Sequence, residues 1–217
     1  YQDHFTVADQ VINSPSISAM QMKGGAMYSM NENVSVFGNF GIVEKPPIMD
    51  NVIYFDGTVA SDPANEKFQS MEFGVNYNSP KYAVKASYYN TQWMDRNLTK
   101  SVTTGQGSSG DTDVIFLTGV DQSHTGFEVE GSAQVIDMLR LDFAASFGNW
   151  KFADDASGNY QEYTDTGVKQ TTYEYALKDL WVGDMPQTGM VLGATVTPMD
   201  GLMAQLVINK YDKNYAD

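Results

Sequence analysis

The chain has 217 residues, and its 27 acidic against 13 basic side chains give a formal charge of −14, which removes the basic footprint that nucleic-acid binding requires. It contains no run of about 18 apolar residues, so no transmembrane helix is written into it, and its mean hydropathy of −0.34 has the surface look of a soluble protein. The absence of cysteine is compatible with export and with the cytosol alike, and carries little weight.

In chain order, the segments that read as β-strands are 19–30, 34–43, 68–78, 81–94, 124–135, 139–152, 189–198 and 202–211. The connections at 31–33, 79–80, 136–138 and 199–201 are short and rich in turn residues, whereas those at 44–67, 95–123 and 153–188 are long. Structureless loops above roughly 15 residues are uncommon in a compact domain unless they carry function. Strict alternation of short and long connections is the rhythm of an antiparallel up-and-down transmembrane β-barrel, with tight turns at one rim and long loops at the other. The expected fold class is therefore all-β, one segment of a single outer-membrane barrel domain with about eight strands in this chain.

The strands also alternate with period two. Met71, Phe73, Val75 and Tyr77 oppose Ser70, Glu72, Gly74 and Asn76; Phe127, Val129, Ala133 and Val135 oppose Glu128, Glu130, Ser132 and Gln134. Leu139, Leu141, Phe143, Ala145 and Phe147 likewise oppose Arg140, Asp142, Ala144, Ser146 and Gly148. A charge facing lipid near the midplane costs roughly 2–4 kcal/mol, so Glu72, Glu128, Glu130, Arg140 and Asp142 are expected to line the lumen. Such an interior is too polar for a dry core and predicts a hydrated lumen or a polar plug. Aromatic girdles are expected at Tyr28, Tyr77 and Tyr82 beside the short turns, and at Phe40, Tyr88 and Phe147 toward the long loops.

The ends of the sequence point the same way. It opens at Tyr1 with neither an initiator Met nor a signal peptide, although an outer-membrane protein must be exported, so the expectation is a piece of a longer protein. Eight strands can close a minimal barrel, yet 209–217 reads as the start of another long loop. An unclosed wall would present unpaired backbone groups to lipid at both edges, so further strands are expected to complete it.

A family resemblance rests on ordered motifs. Residues 33–41 end a strand in the aromatic-glycine pair Phe40-Gly41, a loop with Pro46-Pro47 follows, and then a Glu-aromatic-Gly strand at Glu72-Phe73-Gly74. After a short turn come the Tyr88-Tyr89 strand and the glycine-aromatic-glutamate strand Gly126-Phe127-Glu128. In this order and spacing, from about Ser18 onward, the chain resembles the barrel of TonB-dependent outer-membrane receptors. The resemblance implies a barrel of about 22 strands filled by an N-terminal plug, importing a scarce nutrient with energy delivered through TonB. The chain would supply the later part of that barrel, without the plug, the TonB-contacting segment or the closing strand. Its implied partners are outer-membrane lipid, TonB through a plug domain not in this chain, and a small-molecule or oligomeric nutrient.

Chemistry finds little foothold. His4 and His124 have no partners at metal-ligand spacing, and no metal or cofactor is expected. Asp121-Gln122-Ser123-His124 holds the residue types of a hydrolase triad, but triads assemble in space from separated segments, so no enzyme is expected. The glycine-rich run 105–111 lacks the Lys and the following helix of a phosphate loop. Acidic loop residues, among them Asp111, Asp113, Asp121, Asp154, Asp155, Glu162 and Asp165, are read as solubilising charge; the pairs Asp111/Asp113 and Asp154/Asp155 lack the regular ligand spacing of a calcium loop.

Candidate ligand contacts are Trp93, Asp95 and Arg96 at the end of the fourth strand and Trp150 and Lys151 at the end of the sixth. An indole beside a guanidinium suits an aromatic, glycan or anionic chelate ligand. The competing expectation, and the favoured one, is that both tryptophans are interfacial anchors at the membrane rim. Apolar stretches at 52–55 and 114–120 suit strands extended above the membrane, or contacts for a surface-exposed lid or partner protein. Two other functions stay open at this point: a passive porin or adhesin barrel, and a secreted β-sandwich binding module.

Overall fold

Alternating apolar and polar residues bounded by Asn, Ser, Pro and Gly turns produce strands wherever the pattern is unbroken. The computed structural model describes residues 12–53, 57, 59–60, 63–104, 111–164 and 167–215. Among them are ten strands: β1 (Gln21–Ser29), β2 (Val34–Lys45), β3 (Glu66–Asn78), β4 (Tyr82–Thr104), β5 (Asp111–Ile136), β6 (Leu139–Phe152), β7 (Ala156–Thr164), β8 (Gly167–Tyr175), β9 (Thr188–Met199) and β10 (Leu202–Asp212). A single 3-10 turn at Met49–Asn51 is the only helical element described.

All strands belong to one antiparallel sheet in the order β1-β2-β3-β4-β5-β6-β9-β10, with β7 and β8 off that path. The sheet is not closed in this chain. The short turns are locally secured: Asn31 Oδ1 accepts the backbone N–H groups of Asn33 and Val34, both at 2.9 Å, and Gly201 takes φ +82°, a conformation that L side chains rarely adopt.

The eight expected strands are all present, but two of the long connections are not loops. β4 and β5 run on past the expected ends at residues 94 and 124 as one hairpin, which uses the apolar stretch at 114–120. Residues 156–175 form a second hairpin, β7-β8, inside the expected loop 153–188. β7 pairs with the upper part of β5 (Ser157 opposite Thr118, Gln161 opposite Val114), while β6 pairs with its lower part. A single 26-residue strand, β5, therefore carries two different neighbours along the same edge. Of the other apolar stretch, Val52 is fully buried and Ile53 bridges to Val59, whereas Tyr54 and Phe55 lie outside the described residues.

Directly opposed residues in a ladder share a face of the sheet, so register assigns sides without ambiguity. On one face, Phe73 pairs with Tyr88, Tyr88 with Phe127, Phe127 with Phe147, and Phe143 with Leu192. These side chains are uncovered: Phe73 is 58%, Phe127 62% and Leu192 62% exposed. This apolar face ends along one line, because Gln69, Gln92, Ser123 and Lys151 are successive cross-strand partners. The apolar run at 127–135 extends about 26 Å at ~3.3 Å per residue, close to the roughly 25 Å band of an outer-membrane barrel. Tyr28, Tyr77, Tyr82, Phe40, Tyr88 and Phe147 all fall on this face in the register expected for girdles.

The buried hydrophobic residues among those described are Val52, Val120, Ala156 and Val182, all beyond the apolar band. A soluble sandwich must bury one face of each sheet in a dry core, and none forms among the described residues.

Candidate functional site

On the opposite, polar face, the ladders set side chains in rows across β3, β4, β5 and β6. The first row is Phe68, Trp93, Gln122 and Phe152; the second is Ser70, Thr91, His124 and Trp150; the third is Glu72, Tyr89, Gly126 and Gly148. Below them, Gly74, Ser87, Glu128 and Ser146 form a fourth row that continues to Gly189 and Tyr211, and Asn76, Lys85, Glu130 and Ala144 a fifth. Arg140 and Asp142 lie further along the same face of β6. All five charged residues expected inside thus share one side of the sheet.

Aromatic side chains dominate the upper rows. Trp150 donates from Nε1 to the Tyr89 hydroxyl at 2.9 Å and packs against His124 with ring centroids 5.4 Å apart. Gly126 and Gly148 face each other beneath this pair; a Cβ on Gly126 would lie 2.7 Å from Tyr89 Cζ, and one on Gly148 2.8 Å from Trp150 Nε1. The bare backbone at these two positions is what lets both rings lie against the wall.

Both tryptophans therefore correct the expectation of interfacial anchors. Trp93 and Trp150 are on the polar face because counting by twos from Tyr89 or Ser146 reaches them, and their indole N–H groups serve protein acceptors rather than a membrane interface. Trp93 donates to Glu66 Oε2 at 3.2 Å and lies 4.7 Å from Phe68, and the Arg96 guanidinium sits 4.1 Å above its ring. Glu66, only 1% exposed, also takes Lys45 Nζ at 3.2 Å.

The remaining candidate contacts diverge. Asp95 pairs with Lys67 at 3.5 Å and its backbone N–H donates to Asp121 Oδ1 at 2.8 Å. Lys151 falls on the other face from Trp150, with Nζ 4.8 Å above the Trp181 ring. Trp181 in turn stacks on Tyr215 at 5.1 Å. Sequence reasoning missed Tyr89, Phe68 and Gln122, although the same two-residue count that found Glu128 passes through their rows.

Two grooves open on this face. The upper one, about 560 Å³, is lined by Phe68, Tyr89, Trp93, His124 and Trp150 with Ser70, Thr91, Glu72, Lys85 and Glu128. The lower one, about 360 Å³, is lined by Ser87, Glu130, Ser146, Val191 and Tyr211, and shares Lys85 and Glu128 with the first. Glu72 is held by Lys85 at 3.3 Å and by Asn39 Nδ2 at 3.1 Å, and Arg140 holds Asp142 at 2.8 Å.

Ser123 and His124 point to opposite faces, and Asp121 is engaged with Asp95, so no triad is assembled there. Asp154 pairs with Lys178 at 3.6 Å, and Asp155 Oδ1 accepts the Lys178 N–H at 3.0 Å. Among the described residues no three His, Cys, Asp or Glu side chains gather as a metal site. His4, Asp165 and residues 105–110 lie outside the described residues, as do the side chains of Asp111, Asp113 and Glu162.

Over residues 1–214 the chain matches the family model described as TonB dependent receptor-like, beta-barrel. It belongs to that family. Members of this receptor family are β-barrel proteins of the Gram-negative outer membrane that serve transport, and the chain is accordingly an outer-membrane barrel segment. No curated protein and no solved structure matches it. For a TonB-dependent receptor barrel, the uncovered apolar face and the absence of a dry core are the expected physics rather than an anomaly.

Proposed function

We propose that this chain is part of the wall of a TonB-dependent importer, with its apolar face against lipid and its polar face lining the lumen. A scarce nutrient binds at the extracellular side and is imported with energy delivered through TonB to a plug domain outside this chain. The observation that carries the reading is the apolar band that ends along the line Gln69, Gln92, Ser123 and Lys151, with Glu72, Glu128, Glu130, Arg140 and Asp142 on the reverse face. Ligand contact falls to the rim, where Trp150 with Tyr89 is the best placed of the candidates; Trp93, Asp95 and Arg96 shape the groove mouth and Lys151 its outer edge.

A porin or adhesin barrel would share the band but not the energy source. The test has two parts. Single cysteines replacing Phe143 and Leu192, or Ser87 and Ser146, are labelled with a fluorophore in the full-length receptor. A lipid-borne quencher is expected to dim the first pair and an aqueous quencher the second; the reverse, or no contrast, overturns the face assignment. Deleting the receptor and deleting TonB are then expected to give the same growth defect on the same limiting nutrient, and a defect indifferent to TonB favours the passive barrel.

A further inference from the structure

The two grooves on the polar face are one track, because Lys85 and Glu128 line both. Its chemistry changes along its length. At the rim end it is aromatic, with Trp150 and Tyr89 hydrogen-bonded to each other and the tilted His124 ring packed beside Trp150. Deeper, it carries Glu72, Glu128 and Glu130 against a single ammonium, Lys85. Lys85 is already engaged with Glu72 at 3.3 Å. Glu128 and Glu130 are both exposed on the track and make neither a hydrogen bond nor an ion pair among the described residues.

The aromatic end has the same bias. Among the described residues three rings already hold a cation over their faces: Arg96 over Trp93 at 4.1 Å, Lys85 over Phe37 at 5.1 Å and Lys151 over Trp181 at 4.8 Å. Trp150 and Tyr89 hold none among the described residues, and Glu128 lies two residues along β5 from Gly126, the partner of Tyr89. An electron-rich ring beside an unpaired carboxylate attracts a cation by both the ring quadrupole and the charge. Arg96 offsets part of the negative charge at the mouth, where its guanidinium lies over Trp93.

We propose, resting on the reading of the polar face as the lumen wall, that this track binds an organic cation with an aromatic or apolar face. The apolar part lies against Trp150 and Tyr89, and the positive charge is drawn toward Glu128 and Glu130. An anionic chelate is disfavoured there, since like charge in a groove costs binding and slows entry.

The experiment uses the purified full-length receptor in detergent and three capped peptides of equal length: acetyl-Phe-Lys-Lys-amide, acetyl-Phe-Gln-Gln-amide and acetyl-Phe-Glu-Glu-amide. Calorimetric titration is expected to show the cationic peptide binding about tenfold more tightly than the neutral one at low salt, an advantage that shrinks as salt screens the carboxylates. Combining Glu128→Gln with Glu130→Gln is expected to remove most of that advantage, and Trp150→Leu to weaken both the cationic and the neutral peptide, the cationic one more. Equal binding of the cationic and neutral peptides, preference for the anionic one, or no binding at all overturns the proposal. A cysteine replacing Ser146 separates the two levels of inference. If an aqueous thiol reagent labels it while the charge preference is absent, only the ligand class fails; if it is not labelled, the lumen reading fails and this proposal with it.

Discussion

Glu66 shows how a charged residue is kept inside a thin wall. Its side chain is almost fully buried, and one oxygen serves both the Lys45 ammonium and the Trp93 indole. Lys45→Met leaves that carboxylate with the indole alone. Removing one partner of a buried charge is costly, and because Lys45 is half exposed the expected loss is about 1–3 kcal/mol. A lowered urea midpoint of the receptor in lipid vesicles measures it, and adding Glu66→Gln is expected to restore most of the loss. Gly126 is the counterpart in packing. A valine there must displace Tyr89, taking the acceptor from Trp150 Nε1, so Gly126→Val is expected to destabilise by about 1–3 kcal/mol and to shift Trp150 fluorescence. Gly193→Ala, whose added Cβ would meet nothing nearer than 3.5 Å, is expected to leave both readings unchanged.

Between neighbouring positions of one strand, the face decides the cost of a charge. Phe143 lies at the centre of the apolar run on β6, opposite Leu192, whereas Ala144 lies on the polar face opposite Glu130. Phe143→Arg is expected to cost roughly 2–4 kcal/mol and to cut the yield of folded receptor in the outer membrane, while Ala144→Arg is expected to be tolerated. Assembly is read from heat-modifiable migration on gels. This two-residue phase is also why most of the sheet was legible: from residue 70 to 78, from 127 to 135 and from 139 to 148 the sequence alternates in step with the two faces. It stops being legible at irregularities. Asp95 adopts φ +56° and Gly119 φ +67°, and the β4-β5 register shifts between Trp93 and Leu98. An inserted residue reverses which face each later side chain takes, so the upper hairpin no longer alternates in step with the strands below and read as a loop. β7 and β8 were hidden for another reason: their polar, Tyr- and Thr-rich segments carry no apolar alternation for the two-residue count to find.

At the scale of the molecule, the short-turn and long-connection rims face different compartments. Lys178, with its side chain 58% exposed beyond the end of β8, is expected to be cleaved by trypsin on intact cells, while Lys81 in the opposite turn stays intact until the outer membrane is permeabilised. Early cleavage at Lys81, or none at Lys178, would reverse the orientation. The candidate site was half legible at this scale. The carboxylates of the track announced themselves by being charged within apolar strands, but Tyr89, His124 and the two tryptophans become a group only when four strands lie side by side. The height of the upper ribbons has a consequence for how the protein is made. β5 is continuous over 26 residues, about 85 Å at ~3.3 Å per residue, far more than a bilayer core needs. With the long-connection rim outside, the tips of β4-β5 and β7-β8 have to be carried completely across the membrane during biogenesis, although their backbone groups cannot enter hydrocarbon unpaired. Translocation as pre-paired hairpins through a hydrated seam satisfies both demands, whereas strand-by-strand threading through lipid satisfies neither.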